Sequence, residues 1–199
     1  YLGQDYTMSG IRGRELPNMT VGVIGAGHIG QTVVKHLSGF GCRVLYWNRH
    51  PKDELEGFAE YCDLPTLLAQ SDIVSLHIAS NKETYHFMDP DRITSMKQGA
   101  LLINTARGPI VDSAALIGAL ESGHLSGAGL DVIDGDRNIY YRDHKNEMII
   151  HHEMAILNSM PNVLMMPHAA YFTDQALEDM VHNSLIVTSQ CFKDMKEQQ

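Results

Sequence analysis

Three ionisable side chains, Arg107, Asp136 and His168, each follow a predicted strand within a few residues. An arginine guanidinium can hold a carboxylate through two parallel hydrogen bonds and can polarise an adjoining carbonyl. A histidine can give a proton to that carbonyl oxygen and take it back in the reverse direction. A carboxylate beside the imidazole orients the ring and favours its charged form. Together these residue types predict acid–base chemistry on the carbonyl of a 2-oxo acid.

Each of the three residues also has an ordinary structural explanation. A lone arginine is usually a surface charge, a histidine after a proline is usually a loop residue, and Asp-Gly-Asp is usually a turn. The catalytic interpretation is favoured because all three follow successive strands of one predicted sheet, and ligands bind at the carboxyl edge of such sheets.

A glycine-rich segment, VGVIGAGHIG at residues 21–30, joins a predicted strand to a predicted helix. Gly25, Gly27 and Gly30 form the pattern G-x-G-x-x-G, in which the first glycine permits a tight turn and the second lets the backbone approach a pyrophosphate. The third allows close packing of helix on strand. Because strand, helix and next strand are all in place, the segment predicts dinucleotide binding rather than a purely structural loop.

The choice between NAD and NADP depends on the end of the second strand. An acidic residue that accepts hydrogen bonds from the adenosine ribose is expected there, and this chain has Asn48. Asn48 can still bind a hydroxyl group, whereas Arg49 and His50 could attract a 2′-phosphate. NAD is the favoured cofactor, and use of NADP stays open.

Short apolar runs alternate with segments of helical period, which is typical of repeated β-α-β units. Asp112 is a suitable N-cap for one of the helices. The fold class is therefore α/β, a doubly wound parallel sheet of Rossmann-like type in three α/β/α layers. The polar, histidine-rich stretch 134–160 is predicted to be an insertion. Strands are predicted at residues 21–25, 43–47, 72–77, 100–104, 126–132 and 162–166, and helices at 28–39, at 113–122 and from near 173.

Composition excludes several classes of function. The formal net charge of −9 argues against binding to nucleic acid or to an anionic membrane surface, and no run of apolar residues is long enough to span a membrane. Three well-separated cysteines, Cys42, Cys62 and Cys191, indicate free thiols in a reducing cytoplasm. A metal site among the eleven histidines is the weaker alternative, because the neighbouring His151 and His152 would not share a helix face.

The chain resembles the D-isomer specific 2-hydroxyacid dehydrogenase family, in its D-lactate dehydrogenase-like branch. The matching segments are the glycine-rich segment, SDIVSLHI (71–78), MKQGALLINTARGPIVD (96–112), ALESGHLSGAGLDV (119–132) and PNVLMMPHAAYFT (161–173). The resemblance implies that Arg107 binds the substrate carboxylate and carbonyl, that His168 is the acid/base and that Asp136 is its acidic partner. The family ordinarily has glutamate in place of Asp136.

The same resemblance implies contacts with the cofactor and the substrate. Tyr171 is expected to line the substrate pocket together with Arg107. Ala79 stands where many relatives have proline. The residues expected to contact the cofactor are Gly25, Gly27, His28, Ile29, Gly30, Asn48, Ile78, Ala79, Thr84, Thr105, Ala106, Arg107 and Asp131.

Members of the family have two domains, and residues 1–199 are predicted to be the dinucleotide-binding domain, with the substrate domain absent from this chain. The implied reaction interconverts an (R)-2-hydroxy acid and a 2-oxo acid with a nicotinamide cofactor, in a cytoplasmic homodimer. These residues alone are expected to bind cofactor but to turn over poorly, because domain closure completes the pocket. The alternative is a dinucleotide-sensing scaffold that resembles transcriptional corepressors of the same fold.

Overall fold

The computed structural model describes residues 12–136 and 139–197 and divides into two compact units, Tyr1–Pro167 and His168–Gln199. The first unit contains a parallel β-sheet with its helices, and the second contains the long helix α6 (Asp174–Glu197). Each unit is described by itself below.

Seven strands form the sheet of the first unit, and all of them are parallel to their neighbours. Their order is β3-β2-β1-β4-β5-β6-β7, so the chain changes direction across the sheet between β1 and β4. In doubly wound folds, ligands bind at this change of direction, outside the carboxyl ends of the strands. The strands are β1 (Thr20–Ile24), β2 (Arg43–Trp47), β3 (Glu60–Tyr61), β4 (Ile73–Leu76), β5 (Ala100–Asn104), β6 (Leu125–Leu130) and β7 (Val163–Met165).

The helices of the first unit begin at residues that cap them. Gly27 is the N-cap of α1, whereas Asp63, Asp89 and Asp112 cap α2, α3 and α4 with side-chain oxygens that accept a backbone N–H. His151 caps α5 in the same way, because its Nδ1 accepts the N–H of Met154. The helices are α1 (His28–Ser38), α2 (Leu64–Gln70), α3 (Pro90–Ser95), α4 (Ser113–Glu121) and α5 (His152–Ser159), with 3-10 turns at Leu16–Asn18, Asp53–Leu55 and Gly108–Ile110.

Apolar side chains pack on both faces of the sheet. In β2, Val44 and Tyr46 join a cluster that includes Val34 of α1, while Leu45 points into a larger cluster with residues of α2, α3, α4 and α5. Successive side chains of a strand lie on opposite faces, so the helices cover both sides. The predicted three-layer, doubly wound parallel sheet is confirmed.

Most predicted elements are confirmed, with small differences at their ends. β2 and β5 have the predicted bounds, α1 and α4 end one residue early, and α6 begins at Asp174. The two-residue strand β3 and the short helices α2 and α3 were not predicted. Residues 134–160 contain the helix α5 as well as turns, and residues 137 and 138 of this stretch lie outside the described part of the chain. Among the described residues, no helix is both long and apolar enough to cross a membrane.

Candidate active site

The glycine turn between β1 and α1 has the tight geometry that its sequence predicts. Gly25 has a φ of +99°, a conformation that residues with a Cβ rarely adopt. A Cβ on Gly25 would also lie 2.7 Å from the backbone carbonyl of His77, and a Cβ on Gly30 would lie 1.9 Å from the carbonyl oxygen of Gly25. Only glycine therefore allows β1, α1 and the end of β4 to approach so closely.

The space above Gly27 is open. Apart from its own chain neighbours and the adjoining helix backbone, no atom of the described residues lies within 4 Å of where its Cβ would be, although a Cβ on either of the other two glycines would clash. Gly27 is the N-cap of α1 and has no side chain that could bond the first N–H groups of the helix. Those N–H groups lack partners within the helix and carry its positive dipole end, so they suit the pyrophosphate of a dinucleotide.

A cavity of about 530 Å³ extends from the glycine turn along the carboxyl ends of β1, β2 and β4. Trp47 and Phe87, whose ring centroids are 5.5 Å apart, supply apolar and aromatic surface to it. A pocket of this size and lining, at the change of direction of the sheet, fits a dinucleotide. Six of the predicted cofactor-binding residues line it: Gly25, Gly27, Asn48, Ile78, Ala79 and Thr84.

Asn48 lies just after β2, as predicted, and its amide group is used to hold the backbone. Its Oδ1 accepts the N–H of Ala26 at 3.3 Å, and its Nδ2 donates to the carbonyl oxygen of His50 at 3.0 Å. The next residue, Arg49, forms an ion pair with Glu83 at 2.6 Å between Nη2 and Oε2. Arg49 and Glu83 both line the cavity.

Part of the cavity wall is formed by the loop that follows β4, whose shape is set by internal hydrogen bonds. Thr84 is buried, and its Oγ1 donates to the carbonyl oxygen of Ala79 at 2.7 Å and accepts the N–H of Asn81 at 2.8 Å. His77, which also lines the cavity, has its Nε2 2.9 Å from the Oγ of Ser75, and burial lowers the pKa of His77. Burial therefore favours the neutral imidazole, while the backbone carbonyl of His77 is the group that Gly25 approaches closely.

Arg107 lies on a loop that the buried Asn104, the last residue of β5, holds in place. The Asn104 side chain accepts the N–H of Ala106 at 3.1 Å and donates to the carbonyl oxygen of Arg107 at 3.0 Å. The Arg107 guanidinium is exposed, and its Nη1 donates to the carbonyl oxygen of Ala106 at 2.6 Å. Thr105 is exposed on the same loop.

The loops after β5 and β6 pack directly against each other. A Cβ on Gly108 would lie 1.9 Å from the carbonyl oxygen of Ile133, so glycine is required beside Arg107. Asp131 is buried at the end of β6. Asp136 lies in the turn that follows, where its Oδ2 accepts the N–H of Ile133 at 3.2 Å. The structure therefore brings the predicted residues of these two loops to one edge of the sheet.

A histidine that the sequence reasoning missed connects these loops. His86 has its Nε2 3.1 Å from Oδ2 of Asp134 and its Nδ1 3.6 Å from Oδ2 of Asp112. The backbone N–H of His86 donates to the carbonyl oxygen of Pro109. This bond links the loop after β4 to the segment that follows Arg107. Among the described residues, no group of three or more His, Cys, Asp or Glu side chains could hold a metal ion.

His168 and Tyr171 belong to the second unit, at its amino-terminal end. His168 has a φ of +53°, and its ring lies edge-on to that of Tyr171 with centroids 5.8 Å apart. Tyr171 contacts the ring of Phe172 in the same manner. The approach of His168 to Arg107 and Asp136, which the catalytic interpretation requires, stays a prediction.

A family model described as the D-isomer specific 2-hydroxyacid dehydrogenase, NAD binding domain, matches residues 3–170. The chain belongs to this family. Membership confirms the family that the sequence motifs indicated and confirms NAD as the predicted cofactor, for which the open glycine turn and its cavity provide a fitting site.

Several members are similar to this chain along most of its length. A D-specific alpha-keto acid dehydrogenase of Enterococcus faecalis is 46% identical over 182 residues, which are 92% of this chain and 55% of that protein. A D-lactate dehydrogenase of Lactiplantibacillus plantarum is 38% identical over 183 residues, with the same coverage. The solved structure of a D-isomer specific 2-hydroxyacid dehydrogenase from Lactobacillus delbrueckii, in an NAD-complexed form, superposes with a TM-score of 0.88 at 36% identity over 95% of this chain and 58% of that one.

The chain spans about half the length of these relatives. The sequence reasoning missed several residues of the site, including the apolar pair Trp47 and Phe87 and the ion-paired Glu83. Trp47 had a signal, because it directly precedes the ribose position. Glu83 had none, because it reaches the cavity only through the path of its loop.

Proposed function

We propose that this protein is an NAD-dependent dehydrogenase that interconverts an (R)-2-hydroxy acid and a 2-oxo acid, and that residues 1–199 form its dinucleotide-binding domain. The cavity above Gly27 carries the proposal, because this cavity and the Arg107 loop both lie at the carboxyl ends of the strands. Relatives named as D-lactate and D-specific alpha-keto acid dehydrogenases support this class of substrate.

The chain's own residues divide the work of holding and protonating the substrate. Arg107 is exposed on a loop fixed by Asn104, so its guanidinium can bind the α-carboxylate and polarise the neighbouring carbonyl. His168 gives its proton to the carbonyl oxygen during reduction and recovers it during oxidation. Asp136 is the acidic partner of that imidazole, as the family resemblance implies. Tyr171 lines the substrate pocket.

The cofactor would be held mainly by residues of the glycine turn and of the loop that follows β4. The N–H groups of His28, Ile29 and Gly30 face the pyrophosphate, and Ile78, Ala79 and Thr84 line the wall beyond it. Thr105 and Ala106, beside Arg107, and Asp131 would also contact the cofactor. When bound, the reduced nicotinamide supplies the hydride that the carbonyl carbon accepts.

A second domain that closes over the substrate supplies the rest of the pocket and excludes water. The protein acts as a homodimer in the cytoplasm, on small acids rather than on nucleic acid or membranes. The corepressor-like alternative has no particular observation in its favour.

A panel of 2-oxo acids tests the function. The full-length protein is supplied with NADH or NADPH and with pyruvate, branched, aromatic and dicarboxylic 2-oxo acids, and the product is resolved on a chiral column. We expect NADH-dependent formation of the (R)-hydroxy acid from at least one member of the panel. The (S)-enantiomer, or cofactor binding with no turnover of any member, would refute the proposal.

A further inference from the structure

Glu83 lines the dinucleotide cavity, although it belongs to none of the sequence motifs that predict the site. It comes from the loop after β4, lies 34 residues along the chain from Arg49 and meets it at 2.6 Å. Both side chains are largely exposed at the cavity wall, at 70% for Arg49 and 75% for Glu83. Their pairing follows from the path of the loop and not from any local sequence pattern.

The acidic residue expected at the end of β2 is absent, and Asn48 does not replace its charge. The Oδ1 and Nδ2 atoms of Asn48 are engaged with the backbone at Ala26 and His50. Among the described residues that line this cavity, Glu83 is the one with a carboxylate, and it shares the cavity with Asn48 and Arg49.

The loop that carries Glu83 is well fixed. The backbone N–H of Glu83 donates to Oδ1 of Asn81 at 2.8 Å, and the neighbouring Thr84 forms hydrogen bonds with both Ala79 and Asn81. Glu83 is therefore presented to the cavity from a defined backbone position, and its exposed side chain reaches Arg49 from there.

We propose that Glu83 makes this site select NAD over NADP, both through its own charge and by engaging Arg49. The inference rests on the proposed dinucleotide function. NADP carries a phosphate of nearly two negative charges where NAD has a ribose hydroxyl. A carboxylate accepts hydrogen bonds from ribose hydroxyls but repels that phosphate. Arg49, which lines the same cavity, is the cation that could bind the phosphate. While Glu83 pairs with Arg49, its negative charge offsets part of the attraction that the guanidinium would have for that phosphate.

Substitution of Glu83 tests this inference through binding rather than turnover. Dissociation constants for NADH and NADPH are measured by calorimetry on the full-length wild type and on Glu83→Gln, which keeps the size of the side chain and removes its charge. We expect the preference for NADH over NADPH to fall about tenfold in Glu83→Gln, a change of the size that one exposed charge produces at short range. Adding Arg49→Gln to this variant should remove the gain in NADPH binding.

Glu60 provides a matched control, because it forms a similar exposed ion pair with Arg43 at 2.7 Å and does not line the cavity. Glu60→Gln should leave the preference unchanged. An unchanged preference in Glu83→Gln with normal NADH binding would overturn the role of Glu83 alone, as would a wild type that binds NADPH more tightly than NADH. A wild type that binds neither dinucleotide would overturn the proposed function as well.

Discussion

The guanidinium of Arg107 is valuable for its geometry as well as for its charge. A planar fork binds a carboxylate through two parallel hydrogen bonds, whereas a lysine ammonium acts as a point charge. We therefore expect Arg107→Lys to lower kcat/KM for 2-oxo acids by roughly 10- to 100-fold, equivalent to the loss of one charged hydrogen bond. This loss should appear mainly as a higher KM for the 2-oxo acid, and the affinity for NADH should be unchanged. Steady-state kinetics on the full-length protein measure this.

Arg142→Lys is the matched control, since Arg142 is exposed in the stretch after β6 and is assigned no role in the site. It should keep wild-type kinetics. If Arg107→Lys also kept them, Arg107 would not bind the carboxylate.

His168 is expected to act only in the chemical step. Loss of a general acid typically costs 10²- to 10⁴-fold in rate, so His168→Ala should reduce kcat by about this factor. NADH should still bind with nearly wild-type affinity, as measured by calorimetry. His182→Ala, at an exposed histidine of α6, is the control and should turn over normally. If His168→Ala lost cofactor binding together with activity, the residue would be supporting the fold.

At the scale of single residues, the sequence indicated those candidate site residues that belong to a local sequence pattern. Arg107 follows a strand, and Gly25, Gly27 and Gly30 form one local pattern. It did not predict Glu83 or His86, because each meets its partners through loops that are distant in sequence. Hydrogen bonds between such loops depend on the completed fold, so no local pattern reports them.

At the scale of elements, continuous apolar runs made the buried strands predictable, because both faces of a parallel sheet are covered. β3 consists of the exposed pair Glu60 and Tyr61 and has no such run. α2 and α3 have seven and six residues, too few to show a helical period, and only the capping residues Asp63 and Asp89 mark their starts.

Substitutions in the glycine turn should affect either stability or cofactor binding, because its glycines have different surroundings. Gly30→Ala would place a methyl group against the carbonyl oxygen of Gly25, so we expect a loss of about 1–3 kcal/mol in the free energy of unfolding. Gly27→Ala meets no atom within 4 Å and should unfold like the wild type, yet bind NADH at least tenfold more weakly because the methyl occupies the open space above the turn. Urea unfolding and calorimetry measure the two effects. Unimpaired NADH binding by Gly27→Ala would place the pyrophosphate elsewhere.

At the scale of the whole molecule, the two ends of the sheet have different tasks. The carboxyl ends of the strands carry the cavity and the Arg107 loop. At the amino ends, Asp72 accepts the N–H of Thr20 at 2.9 Å and forms ion pairs with Arg14 at 3.0 Å and Lys97 at 2.9 Å. This buried carboxylate therefore ties β1, β4 and the approach to β5 together, far along the strands from the proposed chemistry.

Acid should weaken this anchor without affecting the site. Burial alone would raise the pKa of Asp72, but the bonds from Lys97, Thr20 and Arg14 lower it from 3.8 to about 2. Because the folded-state pKa lies below the unfolded value, the stabilisation is complete above about pH 5 and is lost as the pH falls toward about 2. With its two cationic partners half exposed, we expect Asp72 to contribute about 1–2 kcal/mol.

The difference between wild type and Asp72→Asn isolates this contribution from the titration of other acids. The free energy of unfolding in urea should be lower in Asp72→Asn by that amount near neutral pH, and the difference should shrink as both proteins are taken to about pH 2. Glu56→Gln, at an exposed acid, should match the wild type throughout. NADH affinity of Asp72→Asn at neutral pH should be unchanged, because the carboxylate lies at the opposite end of the strands from the cavity. A difference independent of pH would show that Asp72 stabilises the sheet through shape and not through its charge.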